Sequence, residues 1–280
     1  MSKIKRQLKV SPTDAELPKT RKQLFGRIVK EDFYLLVDLS LAETLFSVPL
    51  IVALIFEYLF IVGVEVAFSS VFPIVFYMGL IAAPCFGLKY VGRNACFSVM
   101  KKKVHNEGCF IAPQILSAVK SSGLKSFFNG FIVGISAFVA ASGSVYLLYV
   151  AETFLKWTGI GVLILQFAVI FGTAEYFSAS ENFYELKFSA QWKNSFFLSL
   201  MGFLTTLLHF VFFIGIKFLA ALFSPWLAIF CIFAYALVLN GISTAAATLY
   251  AHKVFDIHIN KENYPEYVGK GLFKSDKETR

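Results

Sequence analysis

Glu57, Glu175, His209 and Lys217 stand in stretches otherwise built of Leu, Ile, Val, Phe and Ala. An ionisable side chain in such surroundings is costly, so each is a functional candidate by default. Position narrows the set. Glu57 and Lys217 fall near one end of their stretches and Glu175 near the other, where a long side chain can snorkel its head into water or headgroups. His209 lies deepest, some fifteen residues into its stretch. With Asn240 it forms the candidate polar intramembrane site, lining a ligand path or bonding a neighbouring helix.

Other chemistry is absent from the sequence. There is no HExxH, GxSxG or GxxxxGK[ST] motif and no carboxylate pair on one polar loop, and the four histidines are scattered. The chain is therefore expected not to be an enzyme, with no catalytic residue and no cofactor. Cys96, His105 and Cys109 match no standard metal spacing and lack a fourth ligand, so no metal site is expected. All four cysteines are expected to be reduced, since none of their spacings resembles a disulfide framework.

The elements that must position these residues follow from composition. Hydrophobic residues make up 57% of the chain and charged ones 16%, against about 25% charge in soluble domains. Six apolar segments, near 39–61, 66–88, 128–151, 157–177, 195–218 and 227–250, each supply the ~20 residues that a spanning helix needs. The expected fold is all-α, a polytopic transmembrane helix bundle of about six spans. A basic segment, 1–32, precedes the transmembrane domain, 33–252, and a tail, 253–280, follows it. The first thirty residues are polar and basic, so no signal peptide is expected. The first two spans are divided only by Glu57, Glu65 and Ser69–Ser70, with a turn placed between Gly63 and Ser70.

Charge sets the threading. With the N-terminus in the cytoplasm, 24 of 26 Lys and Arg fall on that side, leaving Lys156 and Lys217 for the other. The expectation is a multi-pass protein of the cytoplasmic membrane with both termini inside. Arg93, Lys101, Lys102 and Lys103 hold one loop at the inner surface, where they also meet anionic lipid. This accounts for the net charge of +8 without a nucleic-acid partner. Asp38 and Glu43 offset basic residues there.

Two segments read as interfacial amphipathic helices. One presents Ile111, Ile115, Leu116 and Val119 at helical spacing, and the other an aromatic line of Tyr184, Phe188 and Trp192. KSFFNGFIVG and KNSFFLSLMG share a pattern, either from duplication or because any entering helix favours a Lys and interfacial aromatics. Gly130 and Gly134 form a GxxxG step for close helix packing. The partner helix belongs to this chain or to a second copy, which leaves a homo-oligomer open. Asn240, Gly241, Ser243 and Thr244 also suit close packing. The tail is either solvated or folded back through Tyr264, Pro265 and Tyr267.

The segment APCFGLKYVGRNACFSVMKKK, with Pro84, Gly87, Tyr90 and Arg93, is followed by ILSAVKSSGLKSFFNGFIVG, by YELKFSAQWKNSFFLSL with Asn194, and by VFDIHINKENYPEYVGKGL with Tyr264 and Gly271. In this order they resemble the YesL-type family of small bacterial integral membrane proteins, whose function is unknown, over most of residues 75–272. The stretch from Phe46 to Pro84 is longer than the short hairpin of that family. The resemblance implies no catalytic residue. It does imply a role accessory to carbohydrate uptake or its sensing, with membrane lipid and an uptake system or regulatory protein as partners. A small autonomous transporter or channel, using His209 and Asn240, is the alternative.

Overall fold

The computed structural model describes residues 17–272, and all regular structure among them is helical. A short helix α1 (Arg21–Glu31), capped by the Thr20 hydroxyl accepting from the Gln23 amide, precedes α2 (Phe33–Val62). Then come α3 (Phe68–Val104), α4 (Ile111–Val150) and α5 (Thr153–Glu181). The chain continues through α6 (Phe188–Met201), α7 (Phe203–Phe210), a wide π turn at Val211–Gly215 and α8 (Ile216–Phe223). Finally α9 (Pro225–Ala234), a second π turn, α10 (Asn240–Phe255), a third π turn and α11 (Lys261–Asn263) form one run. Among the described residues, five helices, Phe33–Val62, Phe68–Val104, Ile111–Val150, Thr153–Glu181 and Trp226–Asn263, are long and apolar enough to cross a bilayer, which fits a multi-pass membrane protein.

The two expected surface helices take other forms. Residues 111–125 are the first turns of the 40-residue α4, about 60 Å long at 1.5 Å per residue. That is about twice the hydrocarbon thickness. Their polar stripe has partners on α3. Gln114 donates to the Ser98 hydroxyl and Asn94 donates to Ser122 at 2.8 Å, while Ile111 and Ile115 pack on Val99, Met100 and Val104. The aromatic line is split by the loop between α5 and α6. Tyr184 lies in that loop, buried, its hydroxyl donating to Asn260 at 2.6 Å.

The expected span 195–218 is also broken, at Gly202 between α6 and α7. A side chain there would meet the hydroxyls of Tyr176 and Tyr250 at 3.0 and 3.2 Å. The π turns are linked: the Tyr235 hydroxyl donates to the Phe212 carbonyl at 2.8 Å, satisfying an acceptor where the regular ladder is disturbed.

Packing divides the bundle along its length. Residues 90–100 of α3 and 171–180 of α5 are buried without interruption. The opposite halves expose Leu45, Val52, Leu59, Val162 and Leu165. The exposed part of α2, Leu45 to Val62, rises about 27 Å, close to the ~30 Å hydrocarbon core. Both described ends meet at the packed end, where Arg21 donates to the Lys270 carbonyl at 2.9 Å.

The GxxxG step finds its partner within the chain. A Cβ on Gly134 would lie 2.5 Å from the Ala83 carbonyl oxygen, and one on Gly130 would collide with the Phe86 carbonyl and with Tyr90. Small residues thus let α3 and α4 touch backbone to backbone. Gly134→Val is expected to cost about 1–3 kcal/mol or more of stability, read as a lower thermal midpoint in detergent. Gly161→Ala, where nothing lies within 4 Å, should leave that midpoint unchanged or raise it.

Candidate functional site

Where the exposed and packed halves meet, Arg93 of α3 is 4% exposed, with carboxylates on both sides. Its Nη1 donates to Glu43 Oε2 on α2 and to Thr244 Oγ1 on α10, both at 2.9 Å. Nη2 donates to Glu175 Oε2 on α5 at 2.7 Å and to the Ser243 hydroxyl at 2.9 Å, and Nε bonds Glu175 Oε2 at 3.2 Å. A guanidinium has five N–H groups. All five end on acceptors, and four helices are joined through one side chain. The Tyr90 hydroxyl reaches Glu175 Oε1 at 3.5 Å, and the guanidinium lies over the Phe97 ring at 5.2 Å.

This arrangement places Arg93 inside the protein instead of at the inner surface. Burial of an arginine demands counter-charge, and Glu43 and Glu175 supply it. Both carboxylates are buried and not snorkelled. Equal depth becomes visible only with the helix bounds: Glu43 stands ten residues after the start of α2 and Arg93 eleven before the end of α3, whereas the expected spans 39–61 and 66–88 leave Arg93 outside.

His209 is level with this cluster, because the break at Gly202 leaves it only six residues into α7. Its Nε2 is 3.8 Å from Glu175 Oε2, and its ring stacks on Phe171 with centroids 5.9 Å apart. It borders a cavity of about 240 Å³ between α5, α7 and α10. Asn240 is not among the lining residues; it donates to Thr44 Oγ1 at 3.3 Å on the α2 side. Next to it, the Gly241 amide donates to the Ser40 hydroxyl at 2.7 Å, in a close approach to α2 that only glycine permits. Lys217 lies 3.8 Å from the Tyr235 ring centroid, a cation–π contact.

A second polar cluster closes the packed end. His105 and His252 face each other with Nε2 atoms 3.0 Å apart, so at least one of these nitrogens is bare. Arg21 pairs with Asp256 at 3.0 Å, and Asp256 also accepts from the Gly269 amide. The tail therefore folds back. Tyr264 packs on Tyr184, Tyr267 stacks on His105 with an interplanar angle of 21°, and Gly271, at φ +82°, sits against the Val104 carbonyl where a side chain would clash. Of the topology lysines, Lys101 donates to the Asn182 carbonyl and Lys103 pairs with Asp32 at 2.7 Å. Asn194 is exposed on α6. Pro84 lies inside α3, and Gly87 lies beneath Phe127 of α4. Cys96 faces the Leu39 carbonyl, apart from the histidine pair, and no group of three metal-ligating side chains exists among the described residues.

Removing the guanidinium leaves two buried carboxylates facing one another. Arg93→Ala is expected to cost about 3–5 kcal/mol, seen as loss of the folded peak in size-exclusion chromatography in mild detergent. The triple change Glu43→Gln, Arg93→Met and Glu175→Gln should regain part of that loss. Burial, reinforced by Lys270, Lys101 and Arg21 and opposed by Glu107, pushes His105 down from 6.5 to about 4. Because the folded value lies below the unfolded one, the stabilisation from neutral His105 is complete above pH 6.5 and is lost progressively as pH falls toward 4. Hydrogen-exchange protection at residues 264–272, taken relative to the intrinsic rate at each pH, should fall over that interval, and His105→Phe should flatten the fall.

Comparison with family models, with curated proteins and with solved structures gives no match to this chain, and the reading of the site rests on its own geometry.

Proposed function

We propose that the chain is an accessory membrane protein that works through a protein partner and is neither an enzyme nor the conduit for a solute. The supporting observation is the saturation of Arg93: every donor is used within the chain, and four helices are locked by it. A carrier needs a charged or polar group left over for its solute and helices free to move. The association with carbohydrate uptake or its sensing, and the cytoplasmic orientation of both ends, rest on the YesL-type resemblance and on the charge bias.

The partner-facing surface in this reading is the packed end, where Lys120, Lys187, Lys193 and Lys253 are exposed. Crosslinking in native membranes at natural expression, followed by purification and mass spectrometry, tests it. The expected result is stoichiometric recovery of an uptake-system subunit or regulator, reduced by Lys120→Glu with Lys193→Glu. Recovery of this chain alone, together with sugar flux in proteoliposomes that contain only this chain, would overturn the proposal in favour of an autonomous carrier.

A further inference from the structure

The cavity between α5, α7 and α10 has a distinct polar end and an apolar approach. Glu175, His209, Tyr176 and Tyr250 gather at the polar end. The Tyr176 hydroxyl is buried, on a residue 5% exposed, and makes no hydrogen bond of 3.5 Å or less among the described residues. It and the Tyr250 hydroxyl converge on the bare backbone of Gly202. Its polar neighbour is the Tyr250 hydroxyl, with no close hydrogen bond between them, so it keeps hydrogen-bonding capacity to spare, and here it borders an open volume. The rim is different. Thr205 is exposed, Leu208 is 50% exposed, and the surface around them carries Leu204, Val211 and Phe212, also exposed. This rim straddles the level of Arg93, where the exposed half begins, and exposed apolar surface of this kind meets acyl chains more favourably than water.

We propose that this cavity is a lateral binding site for a single-chain amphiphile with an uncharged, hydroxyl- or carbonyl-bearing head, taken from the bilayer. The head hydrogen-bonds to the Tyr176 and Tyr250 hydroxyls beside Gly202, and the start of the chain leaves past Ala247 and Leu208. The volume of about 240 Å³ is below the ~300–1,000 Å³ of pockets that enclose a whole drug-sized ligand. It therefore holds a head and a few methylenes while the rest of the chain stays in lipid. Head charge is limited by the wall, which among the described residues has a carboxylate, Glu175, and no Lys or Arg. Arg93 stands behind that carboxylate with its donors used, so a phosphate or carboxylate head finds no Lys or Arg to pair with. The proposal is independent of the accessory reading, since a carrier or a subunit can each hold such a ligand.

The test uses the full chain in phosphatidylcholine proteoliposomes with a monoacylglycerol carrying a photoreactive diazirine near its head. Labelled residues are mapped by mass spectrometry, with unlabelled monoolein and oleate as competitors. The expected result is labelling confined to residues 203–212 and 246–251, displaced by monoolein and not by oleate. Thr205→Trp, which narrows the mouth from an exposed position, should remove most of it. Tyr176→Phe should weaken displacement by monoolein about threefold to tenfold, the loss of one hydrogen bond. Labelling scattered over the exposed apolar helices and indifferent to both competitors would overturn the site. Oleate competing as well as monoolein would overturn the uncharged head. If either variant fails to fold, the wild-type labelling map and the two competition curves still decide.

Discussion

A guanidinium that cannot lose its proton has to be neutralised wherever the fold puts it, and the rest of this structure is arranged around that demand at Arg93. Two carboxylates and two hydroxyls from α2, α5 and α10 meet it, so the relative rotation and depth of four helices are fixed by the reach of one side chain. Isolated charges in hydrocarbon are expensive, but a complete set of charge-assisted bonds offsets the desolvation cost. The gain here is geometric specificity as much as free energy. Apolar helices slide over one another at little cost, and a single register satisfies this arginine.

Close backbone packing makes that register attainable. Gly130 and Gly134 bring α4 onto Ala83, Gly87 and Tyr90, and Gly241 brings α10 onto Leu36. Tyr90 then presents its hydroxyl to Glu175, and Ser243 and Thr244 present theirs to Arg93. A larger residue at any of these glycines would separate the helices before the polar atoms came within bonding distance. Packing and electrostatics therefore act on the same contacts.

The all-helical character, the apolar segments and the role of the GxxxG step were readable from the sequence, because each follows from local composition and spacing. The contents of the site were only partly so. His209 was singled out for its depth, yet Gly202 breaks its helix and brings it level with Glu175. Asn240 was paired with it, but faces Thr44 instead. Arg93 and Glu43 read as surface charge, since nothing local distinguishes a charge that meets headgroups from one that meets a carboxylate two helices away. The amphipathic pattern at residues 111–125 is likewise ambiguous: a polar stripe fits water, headgroups or a neighbouring helix equally well. The choice was made by Ser98 and Asn94 on α3.

The order in which the cluster's members are synthesised has a consequence for insertion. Glu43 and Arg93 lie on consecutive helices, so the hairpin of α2 and α3 already contains one negative and one positive charge at matching depth. It can enter as a neutral pair. Glu175 arrives two helices later, and its charge is accommodated by an arginine already in place. The latch at the packed end waits longest, since Arg21 must hold until Asp256 and Lys270 have left the ribosome. Charge matching thus follows the order of synthesis, α2 with α3 and then α5, and the seal joins Arg21 to residues 235 and 249 positions later in the chain.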